Sequence, residues 1–169
     1  MKVIFSHGKE SGPWGTKIQR LATIAEQHGC QVISVDYTDS TDPDQRVERL
    51  VALLRQQDEE FVLVGSSMGG YVALVAAAQV VARALFLMAP ALYIPGYACH
   101  SYATDLNVEI VHGWDDAIIP HELSIRYARH ANCPLHLIPG DHSLVSSLDT
   151  VAGLFAVFLR RHLDLGSCR

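Results

Sequence analysis

Three stretches of the 169-residue chain carry side chains suited to nucleophilic and acid–base chemistry. Gly65-Ser66-Ser67-Met68-Gly69 reads Gly-x-Ser-x-Gly with Ser67 at its centre. His112-Gly113-Trp114-Asp115-Asp116 offers two carboxylates, and Gly140-Asp141-His142 offers an imidazole. A serine hydroxyl is a poor nucleophile at neutral pH. It needs a base within hydrogen-bond reach, and that base needs a carboxylate to orient it. The Gly-x-Ser-x-Gly string is weak evidence by itself, because Gly and Ser are common residues. Position raises its value: it lies where an apolar strand-like run, Phe61-Val62-Leu63-Val64, turns into a helix-like one. A sharp turn there lifts Ser67 clear of a sheet, and flanking glycines remove side chains that would collide. The following helix would aim the positive end of its dipole at a developing oxyanion. Ser66, off the centre of the motif, reads as a small packing residue.

The elements that must position these residues follow from hydrophobic periodicity. KVIFSHG is a short β-rich run closed by Gly8, and WGTKIQRLATIAEQHG places Ile18, Leu21, Ile24 and Ala25 at helical spacing before Gly29. CQVISVDY is the next strand. Asp42 and Pro43 then open a helix with Val47, Leu50, Val51 and Leu54 on one face. The alternation continues through FVLVG, a helix from about Ser67, ALFLMA, NVEIVHG, a helix around ELSIRYARH, LHLIPG, and a last helix in LDTVAGLFAVFLRRHL. Runs such as VLVG and ALFLM are apolar without alternation, as expected of strands covered on both faces. The pattern predicts a three-layer α/β/α sandwich, doubly wound around a mostly parallel sheet of about six strands. Ligands of such folds bind beyond the carboxyl ends of the strands, and all three stretches fall at such ends.

Length predicts one domain over 1–169, and a hydrophobic fraction of 49% with 18% charged residues predicts a continuous core. A net charge of −5, with no basic run longer than Arg160-Arg161, argues against nucleic acid as a partner. Cys30, Cys99, Cys133 and Cys168 are scattered without a Cys-x-x-Cys pair. Neither a zinc site nor a disulfide framework is indicated, and a reducing cytoplasm is the expected location. The opening residues lack the basic and long apolar regions of a secretion signal. Residues 61–82 carry no charge and have the length of a membrane span, but the Gly65–Gly70 cluster and the absence of flanking cationic asymmetry favour a buried strand and helix. The remaining histidines, His7, His28, His100, His112, His121, His130, His136 and His162, show no zinc-ligand spacing. No metal is expected; His7 reads as shaping its turn and His112 as structural. A phosphate-cradling reading of the Gly-rich turn lacks both Gly-x-Gly-x-x-Gly and a P-loop lysine.

Taken together, these residues resemble the α/β-hydrolase superfamily over nearly the whole chain, and in particular its small bacterial serine esterases. HGWDDAIIP is similar to the superfamily's Gly-x-x-Asp-x-x-Val-Pro segment, with Ile119 in place of Val, and that alignment favours Asp116 over Asp115 as the acid. GDH resembles the loop of the catalytic histidine, and FSHGKESGPWGTK the His-Gly loop after an early strand. The resemblance implies a catalytic set of Ser67, Asp116 and His142, with an oxyanion hole from the backbone N–H groups of Met68 and Lys9. It also implies that no cofactor is needed and that the substrate is a small ester or thioester. The alternative is a non-catalytic member that binds a small ligand or a protein partner. The connection PALYIPGYACHSYATDL is too short for a helical cap domain, so the site is expected to be open or covered by this one loop. Trp14, Tyr93, Ile94, Trp114 and Leu144 are the expected pocket residues, with Leu92, Tyr97 and Tyr102 as further loop candidates; some of these aromatics could instead cover the core. Nothing in the sequence indicates membrane attachment or fixes an oligomeric state.

Overall fold

Six parallel strands stand in the order β2-β1-β3-β4-β5-β6 in the computed structural model, which describes residues 1–164. The strands are β1 (Lys2–Ser6), β2 (Gln31–Val35), β3 (Phe61–Ser66), β4 (Ala84–Met88), β5 (Val108–Gly113) and β6 (Leu135–Ile138). Between and after them run α1 (Thr16–Gln27), α2 (Pro43–Leu54), α3 (Met68–Ala77), α4 (His121–Ala131) and α5 (Leu148–Asp164). Every strand pair is parallel. The alternating β and α signals of the sequence therefore become a doubly wound sheet. Cys168, counted above among the scattered cysteines, lies outside the described residues.

Each strand sends alternate side chains to opposite faces, and both faces are dry. Ile4, Leu63, Leu85, Leu87 and Ile110 pack beneath α2 and α3 with Val47, Leu50, Val51, Val72 and Leu74. Val3, Phe5, Val62, Val64, Phe86 and Val111 face α1 and α5, against Ile18, Leu21, Ala25, Val151, Phe155 and Phe158. Phe86 meets Phe155 and Phe158 at ring-centroid distances of 5.3 Å each. Burial on both sides accounts for strands without polar alternation. The uncharged stretch from 61 is β3 followed by the ten residues of α3, with Met68–Leu74, Ala76 and Ala77 buried. Among the described residues no helix is long and apolar enough to cross a membrane.

Strand order sets the location of the site. From β1 the chain winds outward to β2, then returns to β3 on the other side of β1 and continues through β4, β5 and β6. The loops leaving β1 and β3 thus diverge from neighbouring strands, which opens a crevice above their carboxyl ends. The register pairs Ser6 with Gly65, Ser66 with Met88, and Gly113 with Ile138, so the ends carrying His7–Lys9, Ser67, Asp116 and His142 all lie along one edge.

Candidate active site

Ser67 sits between β3 and α3 with φ 55° and ψ −122°, a backbone region that side-chain-bearing residues seldom occupy. Strain of this kind costs about 1–3 kcal/mol and persists where surrounding structure imposes it. Here the imposition is steric. A Cβ on Gly65 would lie 2.5 Å from the Gly69 carbonyl oxygen, and one on Gly69 would lie 2.0 Å from that of Ser6. The two glycines let β1, β3 and α3 close tightly around the turn. Ser67 is then fixed by its own N–H to the Met88 carbonyl at 2.9 Å, while its carbonyl accepts from Gly70 and Ala91.

From this turn a chain of hydrogen bonds crosses the edge of the sheet. The Ser67 hydroxyl lies 2.9 Å from His142 Nε2, and His142 Nδ1 lies 2.7 Å from Asp116 Oδ2. Asp116 Oδ1 accepts from the Ile118 and Ile119 amides at 2.9 and 2.8 Å. The Asp116 side chain is fully buried, whereas its neighbour Asp115 is exposed and its carboxylate takes no part in this network. Burial would push the Asp116 carboxyl up, but the Ile119 amide, the His142 ring and the Ile118 amide together outweigh it and hold the acid below its ordinary range. It is ionised at neutral pH. With an anion on Nδ1, the imidazole keeps its proton on that side and presents a free Nε2 lone pair to the serine.

His112 makes contacts that its sequence neighbourhood does not reveal. It is fully buried; its Nε2 lies 2.9 Å from Asp116 Oδ2 and 3.0 Å from the Ile119 carbonyl, and its Nδ1 lies 2.8 Å from the Ser124 hydroxyl. Two acceptors on Nε2 require the proton there, leaving Nδ1 to accept from Ser124. Burial pushes the ring below its usual range, so it stays neutral. Oδ2 of Asp116 thus receives two imidazole N–H donors, one from each side. Replacing His112 by leucine removes one of them and should cost about 1–3 kcal/mol, read as a fall in kcat of about 5- to 150-fold with KM little changed. Steady-state kinetics beside a urea titration separate that effect from lost stability.

On the opposite side, the loop after β1 is held from within. His7 Nδ1 donates to the Gly8 carbonyl at 2.7 Å, and Nε2 accepts from the Tyr37 amide at 3.0 Å. Arg46, 1% exposed, donates to the carbonyls of Ser40, Tyr37, Gly8 and His7 and lies over the Tyr37 ring. This buried guanidinium pins the backbone from which the Lys9 amide projects. Among the described residues neither the Lys9 nor the Met68 N–H has a protein acceptor, and both residues line the cavity that contains Ser67. Met68 is the first residue of α3, where an N–H has no intrahelical partner.

That cavity has a volume of about 500 Å³. Ile18, Met68, Ala91, Ile94, Tyr97, Ile118, Ile119 and Val145 supply its apolar wall; Ser67, His142 and Lys17 are among its polar residues. Of the five expected pocket residues, Ile94 alone lines it. Leu144 is a correction: an Asx turn in which Asp141 Oδ1 accepts from the Ser143 and Leu144 amides turns Leu144 down into the core, fully buried, and leaves Val145 on the cavity. Trp14 and Trp114 are about half exposed and stand outside, Trp114 edge-on to His121. Tyr93 faces a separate surface pocket beneath the Arg126 guanidinium. The connection after β4 lies mostly against the core rather than over the site. Tyr71 donates to Asp44 and accepts from the Cys99 amide, and Tyr102 accepts from the Tyr93 amide. Leu92 and Tyr102 are buried in the core, and Tyr97 reaches the cavity beside Ile94. Among the described residues no group of three or more His, Cys, Asp or Glu side chains is arranged to hold a metal ion.

A doubly wound sheet with this elbow, acid loop and histidine loop is the architecture of the α/β-hydrolase superfamily, and comparison with known proteins agrees. The chain belongs to the Uncharacterised protein family (UPF0227), whose pattern matches residues 2–122. An α/β-superfamily protein from Xanthomonas campestris pv. campestris, solved by crystallography, is 31% identical, with a TM-score of 0.88 over 95% of this chain and 98% of that one. Est1E from Butyrivibrio proteoclasticus superposes with a TM-score of 0.81 at 20% identity, covering 96% and 88% of the two chains. The type II thioesterase BorB from the borrelidin biosynthetic cluster gives 0.73 at 18% identity over 94% and 91%. At those lower identities the likeness is one of fold. No curated protein matches the chain.

Proposed function

We propose that the protein is a serine hydrolase that cleaves a small ester or thioester through an acyl-enzyme. The observation that carries this reading is the unbroken Ser67–His142–Asp116 hydrogen-bond chain at the mouth of a largely apolar cavity. Ser67 Oγ forms a bond to the substrate carbonyl carbon as its proton passes to His142 Nε2. Asp116 stabilises the imidazolium, and the Met68 and Lys9 amides receive the oxyanion. Collapse of the tetrahedral adduct breaks the bond to the leaving oxygen or sulfur, which takes the proton from His142. Water, deprotonated by the same ring, then releases the acid and restores the serine. The residues present suffice for this sequence without a cofactor.

Ferulic acid has been seen bound to Est1E, and BorB is a thioesterase. Both acyl classes therefore belong in the first assay. With 4-nitrophenyl butyrate or a short acyl thioester, His142→Gln should lower turnover by at least about a thousandfold, because His142 Nε2 is the group hydrogen-bonded to the Ser67 hydroxyl and takes its proton. Turnover undiminished in a folded His142→Gln variant would contradict the assignment of His142 as base.

A further inference from the structure

Lys17 is the cavity residue that the acyl-transfer mechanism leaves unused. It stands in the first turn of α1, half-buried, and lines the same cavity as Ser67 and His142. No carboxylate oxygen lies within 4.0 Å of its ammonium, and it makes no side-chain hydrogen bond among the described residues; every other basic side chain lining this cavity or lying on α1 is accounted for differently. Arg20, one turn further along α1, is paired with Asp149 at 3.4 Å, and Lys9, on the loop after β1, is exposed to solvent. The two acids whose charge acts on Lys17, Asp116 and Asp141, are already engaged. Asp116 accepts from Ile118, Ile119, His112 and His142, while Asp141 accepts from the Ser143 amide and hydroxyl and from the Leu144 amide.

Nor does the helix profit from a cation at this place. The first turn of a helix carries the positive end of the dipole, where acidic residues stabilise and basic ones oppose. α1 has no acidic residue in its first turn and no side-chain cap on Gly15. Desolvating an ammonium beside Ile18, against the dipole and without a partner, is unfavourable unless something anionic arrives. Burial lowers the Lys17 ammonium to about 8 even though Asp116 and Asp141 pull it upward. At neutral pH it remains predominantly charged.

We infer that Lys17 is a specificity residue that pairs with a carboxylate on the substrate, so that the preferred ester or thioester is an anionic one with an apolar spacer. This rests on the acyl-transfer reading of the same cavity. Of the two lysines lining the cavity, Lys9 is exposed to solvent and Lys17 half-buried; one half-buried ammonium suits one carboxylate rather than a multiply charged group, and the Ile18, Ile94, Tyr97, Ile118 and Val145 surface suits the methylenes between the two functional groups. The preference should also fade as pH rises through about 8 and the ammonium discharges. The other ionisable groups around the cavity are Lys9 and Glu10 from the loop after β1, Tyr97 from the connection after β4, Asp116 from the loop after β5, and Asp141 and His142 from the loop after β6.

The test is a matched pair of substrates, monoethyl adipate and ethyl hexanoate, with the parent protein, Lys17→Met and Lys17→Arg. The parent should show the higher kcat/KM for monoethyl adipate. Lys17→Met should lose at least about tenfold of the adipate-to-hexanoate ratio, and Lys17→Arg should retain most of it. A ratio that Lys17→Met leaves unchanged, whether both rates fall together or neither falls, would overturn the inference and leave Lys17 a role in stability or in the field at the triad. A second arm does not depend on turnover: monoethyl adipate titrated calorimetrically into Ser67→Ala and into the Ser67→Ala, Lys17→Met double variant. Weaker binding only in the double variant supports the carboxylate contact even if Ser67 proves unreactive, and equal binding in both refutes it.

Discussion

Ser67→Ala should lower ester turnover by at least about a thousandfold while leaving the protein folded. The hydroxyl is the only atom lost. Alanine keeps the Cβ, so the turn between β3 and α3 retains the contacts imposed by Gly65 and Gly69, and the Ser67 amide keeps its bond to the Met88 carbonyl. The bond to His142 disappears, but that ring is partly exposed and remains tied to Asp116. Stability should therefore change by about 1 kcal/mol or less. Residual activity in the variant would come from water attacking a carbonyl still polarised by the Met68 and Lys9 amides. Purified variant and parent, compared for turnover and for thermal unfolding, give both readings. Full activity in Ser67→Ala would reject Ser67 as the nucleophile.

Asp116→Asn should be nearly as damaging, for a different reason. Every hydrogen bond to this side chain is an N–H donated to an oxygen: two backbone amides on Oδ1, two imidazoles on Oδ2. An asparagine must place its NH₂ against one of these pairs. Facing Ile118 and Ile119, it sets donor against donor in a buried loop. Facing the imidazoles, it makes His142 Nδ1 an acceptor, which moves the ring proton to Nε2 and removes the lone pair that would take the serine proton. The rate should fall by about 10³–10⁴-fold with substrate binding largely kept. The loss should appear in kcat, since the Asp116 carboxylate is buried and does not line the cavity. An Asp115→Asn control should stay close to the parent, because Asp115 is exposed and outside the network. If Asp115→Asn lost activity and Asp116→Asn kept it, the assignment of the acid would be reversed.

Much of the fold is legible in the sequence because each unit carries a local signal. The Asp42-Pro43 opening of α2 is one, with Asp42 accepting from the Asp44 and Gln45 amides; the unalternating apolar runs of β3 and β4 are another. Once the strands are parallel and sequentially wound, the ends of β1, β3, β5 and β6 must share an edge. The proximity of Ser67, Asp116 and His142 therefore follows from topology together with short loops. Side-chain direction within those loops does not follow. Leu144 and Val145 differ by one position, and the Asp141-centred turn decides that the first is core and the second faces the cavity. Trp14 invites a role by its size, yet Lys17 three residues later reaches the cavity, because only the first turn of α1 is aimed there. His112 reads as structural beside Gly113, while its contacts to Asp116, Ile119 and Ser124 arise from a loop and a helix folding back over β5. Its i to i+4 spacing to Asp116 is the sequence signal of this contact, but that spacing predicts contact only within a helix, and this segment is a strand end.

Acyl transfer at this site depends most directly on Ser67 being an activated nucleophile rather than a serine in a strained turn. Intact-mass analysis after treatment with a fluorophosphonate, on the parent and on Ser67→Ala, measures that activation without requiring knowledge of the substrate. A single phosphonyl adduct on the parent that is absent from Ser67→Ala is the result predicted here. A folded parent that takes up no adduct, or an adduct that persists in Ser67→Ala, would contradict it.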